Sequence, residues 1–194
     1  RDGIGGGVYL DGGATMNANG GEITRCTADQ GGAAYNDGGT IQADTNAKGT
    51  TFSGAVYNNG TISGGSFTGD VTNQKTATIS GGTFNDTVTS EGYIENGTYN
   101  GDVTNNQSGG ITGGIFNNGV VTNHEYIANG IFNGDVINNG VLADGTYKGK
   151  VTNNGQINGG TFSGAITGTG TIATNAVKLS VSFDPNGGSG SMDP

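Results

Sequence analysis

An aromatic residue recurs at Phe52, Phe67, Phe84, Tyr99, Phe116, Phe132, Tyr147 and Phe162, at intervals of about 15 to 17 residues, and a fixed short period of this kind is the signature of a stacked repeat. Four residues after each stands a β-branched residue: Val56, Val71, Val88, Val103, Val120, Val136, Val151 and Ile166. Five residues before each following aromatic stands another aliphatic: Ile62, Ile79, Ile94, Ile111, Ile127, Leu142 and Ile157. These two spacings are constant, which places all length variation between the Val and Ile positions. Gln-Lys-Thr and Gln-Ser-Gly type residues there mark a surface loop.

Within each unit apolar and polar residues alternate, as in Phe132-Asn133-Gly134-Asp135-Val136. That is the two-residue period of a strand, not of a helix. One unit cannot fold alone: three buried apolar side chains contribute roughly 1.5 to 3 kcal/mol each, against about 1 to 2 kcal/mol of backbone entropy for every ordered residue. Stacking must supply the difference. The pattern therefore predicts an all-β, single-stranded parallel β-helix, or β-solenoid. Each unit of about 15–17 residues is one coil, and Phe, Val and Ile form three internal columns. Gly and Asn at the remaining inward positions let the chain turn in a narrow coil. Asn58, Asn73, Asn105, Asn138 and Asn153, each two residues past the Val position, are expected to bond from coil to coil as stacked Asn ladders do.

The ends depart from this rhythm. Gly5-Gly6-Gly7-Val8-Tyr9 and Gly31-Gly32-Ala33-Ala34-Tyr35 are separated by clearly more than one regular interval, so residues 1–48 read as wider β-helix coils that run without a linker into the regular repeats of 49–176. Residues 177–194 read as a terminal strand and the start of a following repeat domain. In them Val177 to Phe183 alternates strictly before the turn at Asp184-Pro185-Asn186-Gly187-Gly188. Val177, five residues after Ile172, could also open one last coil.

Composition narrows the chemistry. Only 31% of the 194 residues are hydrophobic while 42 are Gly, too little apolar volume for an ordinary two-layer core. A lone Cys26 excludes an internal disulfide framework, and a lone His124 excludes a His-rich metal site. The net charge of -9 argues against nucleic acid and anionic membranes as partners. No apolar run is long enough to predict membrane insertion. The start at Arg1, without Met or a signal peptide, reads as an excised, monomeric piece of a larger chain.

Two resemblances rest on these residues. The GGGVY and GGAAY phrases, with FSGA, FTGD and FNGD, resemble the Gly-Gly-apolar and Phe-rich repeats of bacterial surface adhesins with parallel β-helix passenger domains, over residues 1 to 176. VSFDPNGGSGSM, Val181 to Met192, is similar to the opening strand and turn of the Listeria and Bacteroides repeat, also called the internalin B-repeat. Such repeats occur in secreted, often cell-wall-anchored proteins of Gram-positive bacteria. The resemblances imply an extracellular module at the cell surface, anchored through regions beyond this segment.

Outward rows carry whatever function the chain has. Asp70, Asp102 and Asp135 share one row, with Thr87 and Gly119 between them. Successive acids are two coils, about 9.5 Å, apart, near the upper end of inverting-glycosidase separations. A polysaccharide-active, pectate-lyase-like enzyme is thus an alternative, but no residue supplies apolar walls or a basic partner to raise one acid's pKa. Acids so spaced cannot share a calcium ion. The row Thr51, Ser66, Thr83, Thr98, Ile115, Ile131, Thr146 and Thr161 makes an ice-binding protein a further alternative, although the paired second Thr row of such proteins is missing. Tyr93 and Tyr126, two coils apart with Gly110 between them, and Tyr57 on another row are the candidate ligand-binding residues, able to stack on sugar rings. The expectation is a non-enzymatic structural or adhesive stalk, without cofactor or metal, presenting polar faces to a host or matrix glycan or protein.

Overall fold

The computed structural model describes residues 3–43, 49–174 and 176–179. All thirty strands lie in three parallel sheets of ten strands each, and no helix occurs among the described residues. Each rung contributes one short strand to every sheet. In the eighth rung these are Val136–Asn138, Val141–Leu142 and Thr146–Tyr147. The next rung repeats them in register, with Val136 opposite Val151, Leu142 opposite Ile157 and Tyr147 opposite Phe162. The chain is a β-solenoid, and its three sheets are named here for their inward residues: Val, Ile and aromatic.

The N-terminal residues enter the same sheets. Val8 pairs with Ala34 and Ala34 with Val56, although the chain between these partners is longer than in any later rung. The extra length sits in the connections between Ile23 and Ala34 and between Gln42 and Thr51, while each rung keeps three strands.

The interior is one continuous column set. From Phe52 to Phe162 the aromatic rings stack with centroids 4.7–4.9 Å apart and planes within 6–11° of parallel. That centroid step equals the strand spacing and exceeds the contact distance of ring faces, so the rings are stacked with an offset, the favourable arrangement for aromatic quadrupoles. Tyr99 and Tyr147 stand in this column. Their hydroxyls donate to the carbonyls of Asn96 at 2.9 Å and Asp144 at 2.8 Å, which satisfies the polar tips. Two residues before each aromatic from Phe67 onward, Gly65, Gly82, Gly97, Gly114, Gly130, Gly145 and Gly160 all have positive φ. A side chain there would be both strained and pressed against the ring column.

A second interior ladder runs beside the first. Asn36 donates to Asn58 and Asn58 to Asn73, both at 2.7 Å; Asn105 donates to Asn123, Asn123 to Asn138 and Asn138 to Asn153, all at 2.8 Å. Between the two runs stands Ser90, which accepts from Asn73 at 3.0 Å and donates to the Gly92 carbonyl instead of to the next rung. Asn105 Oδ1 is consequently buried without a hydrogen-bond partner. Asn36, Ser90 and Asn123 belong to this ladder although the spacing of Asn residues alone does not identify them.

One expectation requires correction and another is sharpened. Val120 is not in the Val column: it is 36% exposed, and Val121 is the buried residue opposite Val103 and Val136. Here the extra residue falls at the corner before the strand, so the spacing between aromatic and Val is not constant. Placing Val120 inward would turn Asn123 out of the Asn ladder, since a one-residue slip reverses every side chain. The strand after Ile172 does continue the array, as Lys178–Leu179 pairs with Thr161–Phe162, but the register puts Leu179, and not Val177, opposite Phe162. The stretch Val181 to Met192 lies outside the described residues.

Candidate functional site

With the Phe, Val, Ile and Asn columns committed to the interior, chemistry must come from outward positions. Tyr57 is the middle residue of Val56–Asn58 and belongs to a ladder with Tyr9 and Tyr35. The rings of Tyr9 and Tyr35 stack at 5.5 Å, those of Tyr35 and Tyr57 at 4.6 Å, and the Tyr9 hydroxyl donates to Asp37 at 2.9 Å. Tyr57 is half-buried, and one face of its ring is covered by Tyr35. Its phenol is pushed above its ordinary pKa by burial, by the Tyr35 phenol beside it and by the carboxylates of Glu91 and Asp37. Only one face of Tyr57 remains for a guest.

Tyr93 and Tyr126 are placed differently. They lie on the outer face of the Ile sheet at 50% and 43% exposure, in register with Gly110 between them. A Cβ at Gly110 would be 3.5 Å from the Tyr93 ring, so that ring leans over the glycine without filling its place. The structure thus places Tyr93 and Tyr126 on either side of a buried glycine and leaves Tyr57 in a separate, N-terminal ladder.

A feature unmarked by any motif adjoins the pair. At the corner between the Ile and aromatic sheets, an open groove of about 330 Å³ is lined by Asn96, Gly113, Gly114, Ile115, Asn129, Gly130 and Ile131. Ile115 and Ile131 are register partners, each 40% exposed, where the neighbouring rungs carry Thr98 and Thr146. The signal for this groove was the replacement of Thr by Ile in two consecutive units.

The acidic row is structural at two of its members. Asp102 accepts from the Val120 backbone N–H at 2.8 Å and Asp135 from that of Lys150 at 2.9 Å, each a strut to the next rung. Asp70 is exposed on the same row. A shallow depression lined by Glu91, Asn106, Gln107 and His124 contains the only histidine in the sequence. Among the described residues, no group of three His, Cys, Asp or Glu side chains is arranged to hold a metal ion. No helix among them is long and apolar enough to cross a membrane.

No protein-family model matches the sequence, and comparison with curated proteins and with solved structures finds no match.

Proposed function

We propose that the chain is a non-enzymatic, elongated module of a bacterial cell-surface protein, serving as a stalk whose outer faces make weak, repeated contacts to a host or matrix glycan or protein. The observation that carries this reading is the continuity of the three sheets. Nine steps of about 4.8 Å between ten strands make a rod of about 43 Å, in which each rung is held by its two neighbours. A rod of stacked ladders transmits load and sets a distance, while repetition of outward rows provides multivalency. Tyr93 and Tyr126 are the proposed sugar-stacking residues, with Tyr57 a lesser contributor. The cell-surface and cell-wall setting is supported by the resemblance of Val181 to Met192 to the Listeria and Bacteroides repeat. Asp102 and Asp135 serve the corners in this reading, not acid–base chemistry. A glycan array with the wild type and with Tyr93→Ala/Tyr126→Ala tests the adhesive part. Binding that the double variant loses supports it, and an array on which the wild type binds nothing removes glycan adhesion and leaves a spacer.

A further inference from the structure

The corner between the Ile and aromatic sheets carries a dipeptide with chemistry of its own. Asn96-Gly97 stands just ahead of Tyr99, Asn129-Gly130 ahead of Phe132 and Asp144-Gly145 ahead of Tyr147, all at the same place in the repeat. In Asn-Gly the glycine nitrogen can attack the carbon of the preceding side-chain amide and close a five-membered succinimide. Glycine opposes this least, having no Cβ to crowd the ring. The dipeptide recurs along the whole chain, and the structure sorts its copies into two kinds.

Elsewhere the amide is tied to a neighbouring rung. The Asn59 oxygen accepts from Thr76, that of Asn100 from Asn117 and that of Asn139 from Asn154, while Asn133 donates to Asn117. At the corner the amide is turned back on its own glycine. Asn96 Oδ1 accepts from the Gly97 N–H at 2.9 Å and Asn129 Oδ1 from the Gly130 N–H at 2.8 Å. Cγ is one bond, about 1.2 Å, from that oxygen, so the reacting carbon and nitrogen are adjacent before any reaction, which removes much of the entropic barrier. Rotation about Cβ–Cγ, a soft torsion in Asn, turns the face of the carbon to the nitrogen. Neither glycine N–H serves the inter-rung ladder, whose bonds fall on Glu95 and Thr98 and on Ala128 and Ile131. Losing its proton therefore costs the scaffold nothing, and both Asn side chains are exposed to water.

The two corners differ in one hydroxyl. Tyr99 donates to the Asn96 carbonyl at 2.9 Å, and that carbonyl belongs to the peptide bond whose nitrogen must lose its proton. The resulting anion is shared between nitrogen and oxygen, so a donor fixed at the oxygen stabilises it as an oxyanion hole does. Burial raises the Tyr99 phenol pKa, which keeps this donor protonated at mildly alkaline pH. At Asn129 the column residue is Phe132, which offers no donor. Asp144 shares the geometry, accepting from the Gly145 N–H and, through its carbonyl, from Tyr147, both at 2.8 Å. An ionised carboxylate, however, resists nucleophilic attack.

We propose that Asn96 is a site of spontaneous deamidation promoted by the Tyr99 hydroxyl, with Asn129 a slower second site. Hydroxide removes the Gly97 N–H proton and the nitrogen bonds to Asn96 Cγ. The bond from Cγ to the side-chain nitrogen then breaks, and ammonia leaves with a proton taken from water, which regenerates hydroxide. A second water opens the succinimide at either carbonyl, leaving Asp or isoaspartate. Each event puts a carboxylate into the uncharged groove of Ile115 and Ile131, at the position where the next rung carries Asp144.

Incubation of the folded chain at mildly alkaline pH, with peptide mass mapping of amide-to-acid conversion at each Asn-Gly, tests it. Asn96 should convert first and Asn129 next, both ahead of Asn100 and Asn139, and unfolding in urea should erase that order. Tyr99→Phe installs the residue that most of the aromatic column carries, so an unchanged circular dichroism spectrum would certify the fold. It is expected to slow Asn96 about tenfold, and Phe132→Tyr to speed Asn129 by a similar factor. Conversion of Asn100, Asn118 or Asn139 ahead of Asn96 would overturn the site. The same order in urea would assign it to local sequence and overturn the geometric argument. An Asn96 rate unchanged in folded Tyr99→Phe would overturn the role of the hydroxyl.

Discussion

Asn and Tyr each build ladders both inside and outside this solenoid, and the two settings differ in direction, uniformity and cost. Inside, Asn36 to Asn153 hand hydrogen bonds from each rung to the next, with Ser90 as the single break, and every member is buried. Outside, Asn100 donates back to Asn85, Asn117 to Asn100 and Asn133 to Asn117, at 2.8 to 3.1 Å, before the row ends at Lys148. Inside, Tyr99 and Tyr147 substitute for Phe in an unbroken stack; outside, tyrosines cluster at Tyr9, Tyr35 and Tyr57 and are spaced at Tyr93 and Tyr126. An amide inside has no water to replace a lost partner, whereas one outside does. Interior positions therefore repeat, and exterior positions are free to differ.

The largest effect should follow from breaking the interior ladder. Asn123→Ala strands the Asn138 oxygen and the Glu125 N–H, leaves the Asn105 amide only its bond to the Tyr126 carbonyl, and leaves a cavity. A loss of roughly 2 to 5 kcal/mol is expected, read as a drop in denaturant midpoint. A loss under about 1 kcal/mol would mean that interior and exterior ladders are equivalent after all.

Next in size is an alkaline effect carried chiefly by the interior tyrosines, whose phenols are raised further than that of Tyr57. Burial raises the phenol pKa of Tyr99 and of Tyr147, the latter with help from Asp144, above the unfolded value near 10. Below pH of about 10 the folded and unfolded chains both hold these protons and the stability contribution is complete. As pH rises further, the unfolded chain ionises first and stability falls. The slope should be about 1.4 kcal/mol per pH unit for each buried tyrosine. Tyr99→Phe/Tyr147→Phe should flatten the curve between about pH 10 and 11; an unchanged slope would show that these rings are not shielded.

How much of this was legible in the sequence follows the same division. The aromatic and Ile columns could be read outright, because their spacing is constant and each position admits one residue class. Val121 was obscured by Val120, as two adjacent valines satisfy the pattern equally, and the deciding residue is Asn123, which must face inward two places later. Ser90 was obscured by its identity, although its place two residues after Val88 marks it. Tyr57 could not be joined to Tyr9 and Tyr35 by period, since the connections before it lengthen the first two steps well beyond the regular interval. Gly110 between Tyr93 and Tyr126 was visible. The groove formed by Asn96, Asn129 and the paired isoleucines was not, because that relation exists only once three rungs are stacked.

A repair of the interior ladder should give a smaller effect of opposite sign. Ser90→Asn lengthens the side chain to that of its partners Asn73 and Asn105 and brings a donor toward the orphaned Asn105 Oδ1. Satisfying one buried acceptor predicts a gain of about 1 kcal/mol, seen as a raised midpoint with unchanged slope. Destabilisation would show that the corner at Gly92, to which Ser90 now donates, cannot take the larger side chain.

The smallest effect should come from the outer ladder. Asn117 both donates to Asn100 and accepts from Asn133, so by connectivity alone Asn117→Ala removes as many ladder bonds as Asn123→Ala does. Yet Asn117 is only half-buried and Asn133 is exposed, so water can replace the lost partners. A change within about 0.5 kcal/mol is expected, and the difference between the two alanine variants measures how much of an Asn ladder's value is burial. Should Asn117→Ala cost as much as Asn123→Ala, the outer row would be part of the scaffold, and outward positions could not be assigned to function by their freedom to vary.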